Sequence, residues 1–222
     1  MTPFARSKLY DIAAASPLLL LYGFGVAGLL PKIGGEIAAV ARAPSLAGWL
    51  GILSAAASLV FLALQFVLFL LRRLPTAKSQ GLLPRAAAVL GSNFSSVLIL
   101  LPRVQQGPAL LVAATALTFM GLAGSIYVAA TLGRSFSILP QVRGLVATGP
   151  YRRIRHPLYL CEQVANLGIM WQFAQPWSGL VVAAAAALQF PRMYFEERIL
   201  SQNLPAYAAY AARTARLIPG VY

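Results

Sequence analysis

Acidic side chains are scarce in this chain: five Asp or Glu stand among 222 residues, against eighteen Lys or Arg. It has one histidine, one cysteine, and only 10% charged residues. Each shortage excludes something. A soluble domain is roughly one quarter charged, so 10% charged with 59% hydrophobic and a mean hydropathy of +0.72 excludes an ordinary soluble globule. A lone Cys161 excludes an internal disulfide. A lone His156 builds no zinc site without carboxylate help, and no metal-ligand spacing is present, so no metal is expected. On a helix Cys161 would stand about 140° from His156, a poor geometry for a Cys/His nucleophilic pair.

What is abundant is uncharged, apolar chain. A helix crosses a bilayer in roughly 17 to 25 residues, and spans are expected near 12–31, 46–71, 86–102, 108–130, 157–174 and 176–191. The expected fold is therefore all-α, a polytopic membrane helical bundle of about six spans, the fifth and sixth forming a helical hairpin. The net charge of +13 does not indicate nucleic acid, because the basic residues lie between apolar runs rather than on one soluble face. Fifteen of the eighteen Lys and Arg fall in alternate segments, namely the amino terminus, 72–85, 134–155 and the carboxyl terminus. Lys and Arg resist translocation, so these segments, both termini included, are expected in the cytoplasm. Arg6 and Lys8 before an apolar run also resemble the start of a signal peptide, with Ala39-Val40-Ala41 imitating a cleavage site; the length of the run favours a retained anchor.

Along the chain, residues 1–11 read as an amphipathic lead-in, and Ser16 and Pro17 as the opening turn of the first span. Gly23, Gly25 and Gly28 in "GFGVAG" match a dinucleotide fingerprint literally, but no strand precedes them and no acidic residue follows at the required distance. Arg72 and Arg73 end the second span. Ser92, Asn93, Ser95 and Ser96 interrupt the third, and such groups need partners within a bundle. "GLAGS" from Gly121 gives the fourth a small-residue face for close packing. The connection 131–155 is long, glycine- and arginine-rich and carries apolar anchors, so it is expected to be ordered and functional. Pro205 should break the helix that follows the sixth span.

Chemistry concentrates at two places. With Pro157 opening the fifth helix, His156, Tyr159, Glu162, Gln163 and Asn166 fall within roughly 120° of one another, a polar stripe on an apolar helix. An ionisable residue such as Glu162 inside a membrane segment marks a site or a buried partner by default, although snorkelling toward the interface is the bland alternative. Arg192 and Glu196 share a helix face, with Glu197 about 100° around. Alone they are an ordinary i, i+4 pair worth about 0.2 to 0.5 kcal/mol. Three of the five acidic residues nevertheless sit on the last two spans or their edges, where the arginine-rich loop also lands.

At these residues the chain resembles the isoprenylcysteine carboxyl methyltransferase family and its relatives, the integral-membrane phospholipid methyltransferases. The resemblance runs from "LGRSFSI" at Leu132 through "GLVATGPYRRIRHPLYL" at Gly144 and "RMYFEERIL" at Arg192 to "YAAYAARTARLIPGVY". It implies two regions: residues 1–130 as four membrane helices, and residues 131–222 as a catalytic region in which the cytoplasmic loop, two spans and a carboxyl-terminal amphipathic helix form the cofactor site. It implies S-adenosylmethionine as cofactor, held by Leu145, Val146, Tyr151, Arg155, His156, Pro157, Tyr159 and Glu197. Arg192 and Glu196 become the catalytic residues, and Glu162, Gln163 and Asn166 line the acceptor's place. The acceptor is expected to be lipophilic: a prenylated terminus or isoprenoid thioether acid, or else a lipid amine. The family commonly has glycine where this chain has Cys161, a larger group expected to narrow the acceptor path. Rival readings are an NADPH-dependent membrane sterol or enone reductase, which carries a similar R-H-P element, and a non-enzymatic scaffold or transporter whose basic loop meets anionic lipid.

Overall fold

The structure, a computed structural model, describes residues 3–220. Met1 and Thr2 of the expected lead-in, and Val221 and Tyr222 at the end of the family-like stretch, lie outside the described residues. Helices dominate: α1 (Pro3–Arg42), α2 (Leu46–Leu71), α3 (Leu82–Asn93), α4 (Pro108–Leu132), α5 (Pro157–Met170), α6 (Trp177–Asn203) and α7 (Tyr207–Ala212). The one ribbon among the described residues pairs β1 (Ala77–Lys78) antiparallel with β2 (Gln141–Val142), Ala77 opposite Val142.

Local chemistry explains most boundaries. Ser45 caps α2 by accepting from the Gly48 amide at 3.1 Å. Pro108 and Pro157 open α4 and α5 at positions whose amides have no helical partner in any case. α6 stops at Asn203, two residues before Pro205, and α7 follows. Two expectations need correction. The lead-in and first span are one helix of 40 residues that continues through Pro17 and Pro31 to Arg42. α6 likewise continues through Pro191, so Arg192, Glu196 and Glu197 are rigidly attached to the helix whose first half is apolar. The polar interruption of the third run is visible in the backbone: α3 ends at Asn93 and a 3-10 segment, Phe94–Leu100, takes over.

The chain runs six times between two ends of the bundle. At one end the Arg72 and Arg143 side chains both meet Asp11, the Arg73 amide bonds Arg134 O at 2.8 Å, and the Arg155 amide bonds Ala215 O at 2.8 Å. The four base-rich segments of the sequence thus gather there. At the other end residues 102–104 meet 172–174 through Val104 N to Gln172 O, 3.1 Å, and Ala174 N to Pro102 O, 3.0 Å. Four of the runs are long and apolar enough to cross a membrane: Ser7–Arg42, Leu46–Leu71, Leu82–Leu100 and Pro108–Ser135. α5, with 14 residues, is about 21 Å long, short of the ~30 Å hydrocarbon core, and the second half of α6 is charged. Four helices thus qualify by length and apolarity alone, with α5 and α6 as an adjoining pair.

α5 is held against α4 by small residues. A methyl group added at Gly121 would collide with the Ala165 backbone, one at Gly168 with Thr118 and Ala114, and one at Gly124 would lie 2.8 Å from Cys161 Sγ. The face predicted from "GLAGS" is this contact. Cys161 consequently points at Gly124 and lines neither cavity described below.

Candidate active site

The loop 133–156 is shaped by glycines that no other residue replaces easily: Gly144 has φ +118° and Gly149 φ +55°. Gly149 starts a 3-10 turn ending at Arg152 that buries Tyr151, whose carbonyl accepts from Tyr210 Oη at 2.9 Å. The tail then runs beside the loop, with Ala215 N bonded to Arg153 O at 3.0 Å and His156 N to Arg216 O at 3.1 Å. This pairing fixes His156 at the entrance to α5, where it meets α6.

His156 and the two glutamates converge as the sequence reading required. His156 Nε2 lies 3.0 Å from Glu197 Oε1, and Nδ1 lies 3.8 Å from Glu196 Oε2. The imidazole stacks on Tyr159, ring centroids 5.1 Å apart, and Tyr159 Oη donates to Glu196 Oε1 at 2.6 Å. Arg192, 3% exposed, lies over the Tyr159 ring at 4.1 Å, with Nε 3.7 Å from Glu196 and Nη1 4.0 Å from Glu162. What looked like an i, i+4 surface pair is thus part of a buried network.

Glu197 is saturated: it also accepts from Arg155 Nε at 2.9 Å and from Arg216 Nη2 at 2.7 Å. Burial pushes its carboxyl up, but the hydrogen bonds from His156, Arg216 and Arg155 outweigh burial and hold it down at about 2. Burial likewise pushes the Tyr210 phenol up to about 12. Glu197 therefore orients neighbours and is in no position to exchange protons near neutrality.

Two cavities meet at this network. The first, about 820 Å³ with its open mouth, is lined by the loop, α5, α6 and α7, and takes in Leu145, Val146, Tyr151, Arg155, His156, Tyr159, Arg192 and Glu196. The second, about 1190 Å³ on the same measure, lies among α1 to α6 and takes in Glu162 and Asn166. Arg192 and Leu158 line both. Three expected residues fall elsewhere. Pro157 and Glu197 stand behind the first wall, Glu197 as the anchor of Arg155 and His156. Gln163 lines neither cavity, and its amide is buried without a partner among the described residues; a helical wheel groups residues within 120° without knowing which neighbour each will face.

Several lining residues were not singled out from sequence. Tyr207 and Tyr210 reach the first cavity from α7, a helix of six residues. Gln141 and Arg143 reach it from β2 and its end. The second cavity is more polar than its setting suggests, with Gln65, Ser92, Asn93, Ser95, Ser96, Ser125 and Gln189 on its walls. The serines of the third run were the visible signal; Gln65 and Gln189 had none.

Residues 103–206 match the phospholipid methyltransferase family. The match covers somewhat less than half of the chain. It starts one helix before the motifs that carried the resemblance, so α4, which packs along α5, is part of it and the expected boundary at residue 131 falls inside it. The chain is also 36% identical over 96 residues to the nickel-cobalt-cadmium resistance protein NccN of Alcaligenes xylosoxydans xylosoxydans (40% of this chain, 45% of that protein). It is 37% identical over 100 residues to the cobalt-zinc-cadmium resistance protein CzcN of Cupriavidus metallidurans (40% and 44%). The chain thus spans somewhat less than half the length of these curated relatives. The matched segment contains the loop, His156, Tyr159, Glu162, Arg192, Glu196 and Glu197; the tail that carries Arg216 follows it.

Proposed function

We propose that the protein is an integral-membrane methyltransferase that uses S-adenosylmethionine and acts on a lipophilic acceptor. The observation that carries this reading is the convergence of His156, Tyr159, Arg192, Glu196 and Glu197 at the junction of two cavities, Arg192 lining both. The first cavity fits a nucleoside joined to an amino acid: Tyr151, Tyr207 and Tyr210 offer aromatic surface, Leu145 and Val146 apolar surface, and Arg143, Arg155 and Glu196 polar contacts. S-adenosylmethionine supplies a methyl group that its sulfonium already makes electrophilic. The protein's part is then to exclude water and align the nucleophile. The second cavity, open among the membrane helices, takes the acceptor at Glu162 and Asn166.

Two acceptor chemistries suit the junction. A carboxylate, as in an isoprenylcysteine, is ionised already, and the Arg192 guanidinium orients it. An amine, as in a phospholipid, must first lose a proton, for which Glu196 at the end of the Tyr159 hydrogen bond is the base. The carboxylate is our first choice, because Arg192 is the charged side chain on both walls. The metal-resistance names of the relatives belong to those proteins and name no acceptor. In the membrane we assign six crossings, with α5 and α6 completing the four longest helices, and the base-rich end, both termini and the site facing the cytoplasm.

Thermal stabilisation of the detergent-solubilised protein by S-adenosylhomocysteine and not by NADPH is the expected result; the reverse selects a reductase, and no response to either selects a non-enzymatic protein. With labelled S-adenosylmethionine and membrane lipid extract or a prenylcysteine, His156→Ala and Glu196→Ala are each expected to abolish transfer while remaining monodisperse. Full turnover in both rejects the site.

A further inference from the structure

Polar side chains inside a membrane helix need partners, and several here find them in the backbone: Ser54 donates to Thr115 O, Ser58 to Ser54 O and Thr118 to Ala114 O. Tyr22 of α1 and Gln65 of α2 do not. They are 6% and 7% exposed, and neither side chain has a hydrogen-bond partner among the described residues. The half-buried Asn166 of α5 is in the same position. All three line the second cavity. The unpartnered amide of Gln163 is occluded and lines neither cavity, whereas the amides of Gln65 and Asn166 and the Tyr22 phenol stay accessible. Gln65 stands in the apolar run "FLALQFVLFLL", where an amide is costly unless something bonds it. The missing partner therefore belongs in the cavity. This polar wall continues into the junction of the two cavities. Asn166 is one helical turn, about 5.4 Å, beyond Glu162, and the Tyr22 phenol lies within electrostatic reach of both Glu162 and Arg192.

We propose that Tyr22, Gln65 and Asn166 form a polar subsite of the second cavity, which recognises an uncharged hydroxyl or amide carried by the acceptor beside its methyl-accepting group. This rests on the acceptor reading above and deepens it. The acceptor is then an amphiphile with a hydrogen-bonding head, not a hydrocarbon chain that ends in the reacting group alone. An amide side chain both donates and accepts, as does a phenol, so the three residues suit a hydroxyl or an amide equally. The subsite itself carries no charge, because Arg192 Nη1 and Glu162 lie 4.0 Å from each other at its edge. Two of its three residues come from α1 and α2, outside the matched segment. Acceptor choice is thereby placed on helices that the family match does not cover.

The test uses the full chain in detergent and measures binding, by melting-temperature shift against probe mole fraction, for two matched pairs. N-dodecanoylglycine, with an amide beside its carboxylate, is compared with pentadecanoic acid, and 2-hydroxytetradecanoic acid with tetradecanoic acid. The wild type is expected to prefer at least one polar-headed member over its plain partner by roughly three- to tenfold, the worth of one neutral hydrogen bond; the pair with the larger ratio names the group. Gln65→Leu should bring that ratio to near unity without weakening the plain fatty acid, and Tyr22→Phe should reduce it. Because Gln65→Leu removes an amide that has no partner in the bundle, its ligand-free melting temperature should equal or exceed that of the wild type. A lower melting temperature marks Gln65 as a structural contact and overturns the assignment. Equal wild-type affinity within both pairs, the result for a cavity that merely holds water, overturns this inference alone, as does an undiminished ratio in Gln65→Leu. Absence of binding by all four probes overturns the placement of a carboxylate acceptor in the second cavity and this inference with it, while stabilisation by S-adenosylhomocysteine tests the cofactor separately.

Discussion

Two adjacent glutamates have opposite surroundings. Glu197 is enclosed by Arg155, Arg216 and His156, whereas Glu196 faces the cavity and accepts from the Tyr159 phenol. The Glu197 carboxyl is held near 2 against an ordinary 4.5, so the charged form is favoured by folding. Its stabilisation is complete above about pH 5 and is lost as pH falls from 4.5 toward 2. Glu197→Gln should lower the melting temperature at pH 7 and flatten the decline between pH 5 and pH 3; an unchanged acid limb would show that Glu197 does not govern it. Breaking such a pair leaves Arg155 and His156 without their carboxylate, a loss of roughly 3 to 5 kcal/mol where the partners are buried. Arg192→Lys tests a different property. Lysine keeps the charge but loses the planar contact with Tyr159 and the reach to two carboxylates. Acceptor KM or kcat should worsen at least tenfold while S-adenosylhomocysteine affinity changes little, which labelled-methyl kinetics and calorimetry would separate.

Helices set the distance between the two cavities. α4 and α5 approach so closely at Gly121 and Gly168 that any side chain there meets backbone, and α5 in turn carries His156 and Tyr159 to α6. Gly168→Ala should separate the pair and cost about 1 to 3 kcal/mol, the usual range for overpacking. Thermal melts would register the loss, and transfer should fall with it because the Tyr159 to Glu196 bond spans α5 and α6. By contrast, Gly28→Ala in the dinucleotide-like run meets nothing within 4 Å, so stability and ligand binding should be unaffected. The 3-10 segment Phe94–Leu100 is the element whose form the sequence signalled least directly. Its serines announced an interruption, and only packing turns that interruption into a cavity wall: just ahead of it, Gly91 of α3 lies close against Leu188 and Arg192 of α6.

For the whole molecule, the decisive arrangement is a loop and a tail folded together over one end of a helical bundle. Truncation after Arg213 removes Ala215 and Arg216, which bond Arg153, Arg155, His156 and Glu197; helical circular dichroism should persist while stabilisation by S-adenosylhomocysteine disappears. In a Cys161→Ala background, cysteines placed at the exposed Gln80 and Gln105 should be labelled from opposite membrane faces, since they lie at opposite ends of the bundle; labelling from one face would refute the six-crossing assignment. The membrane character, the ordered loop, the close α4 face and the polar stripe were legible from sequence, because hydropathy, glycine placement and helical period are properties of residues near one another in the chain. The use of Asp11 for Arg72 and Arg143, the capture of Glu197 by Arg216, and the exclusion of Gln163 from both cavities were not. Those join residues 61, 132 and 19 positions apart in the first three pairs, or depend on which neighbour a helix face meets, and only the packing of the whole bundle decides such partners.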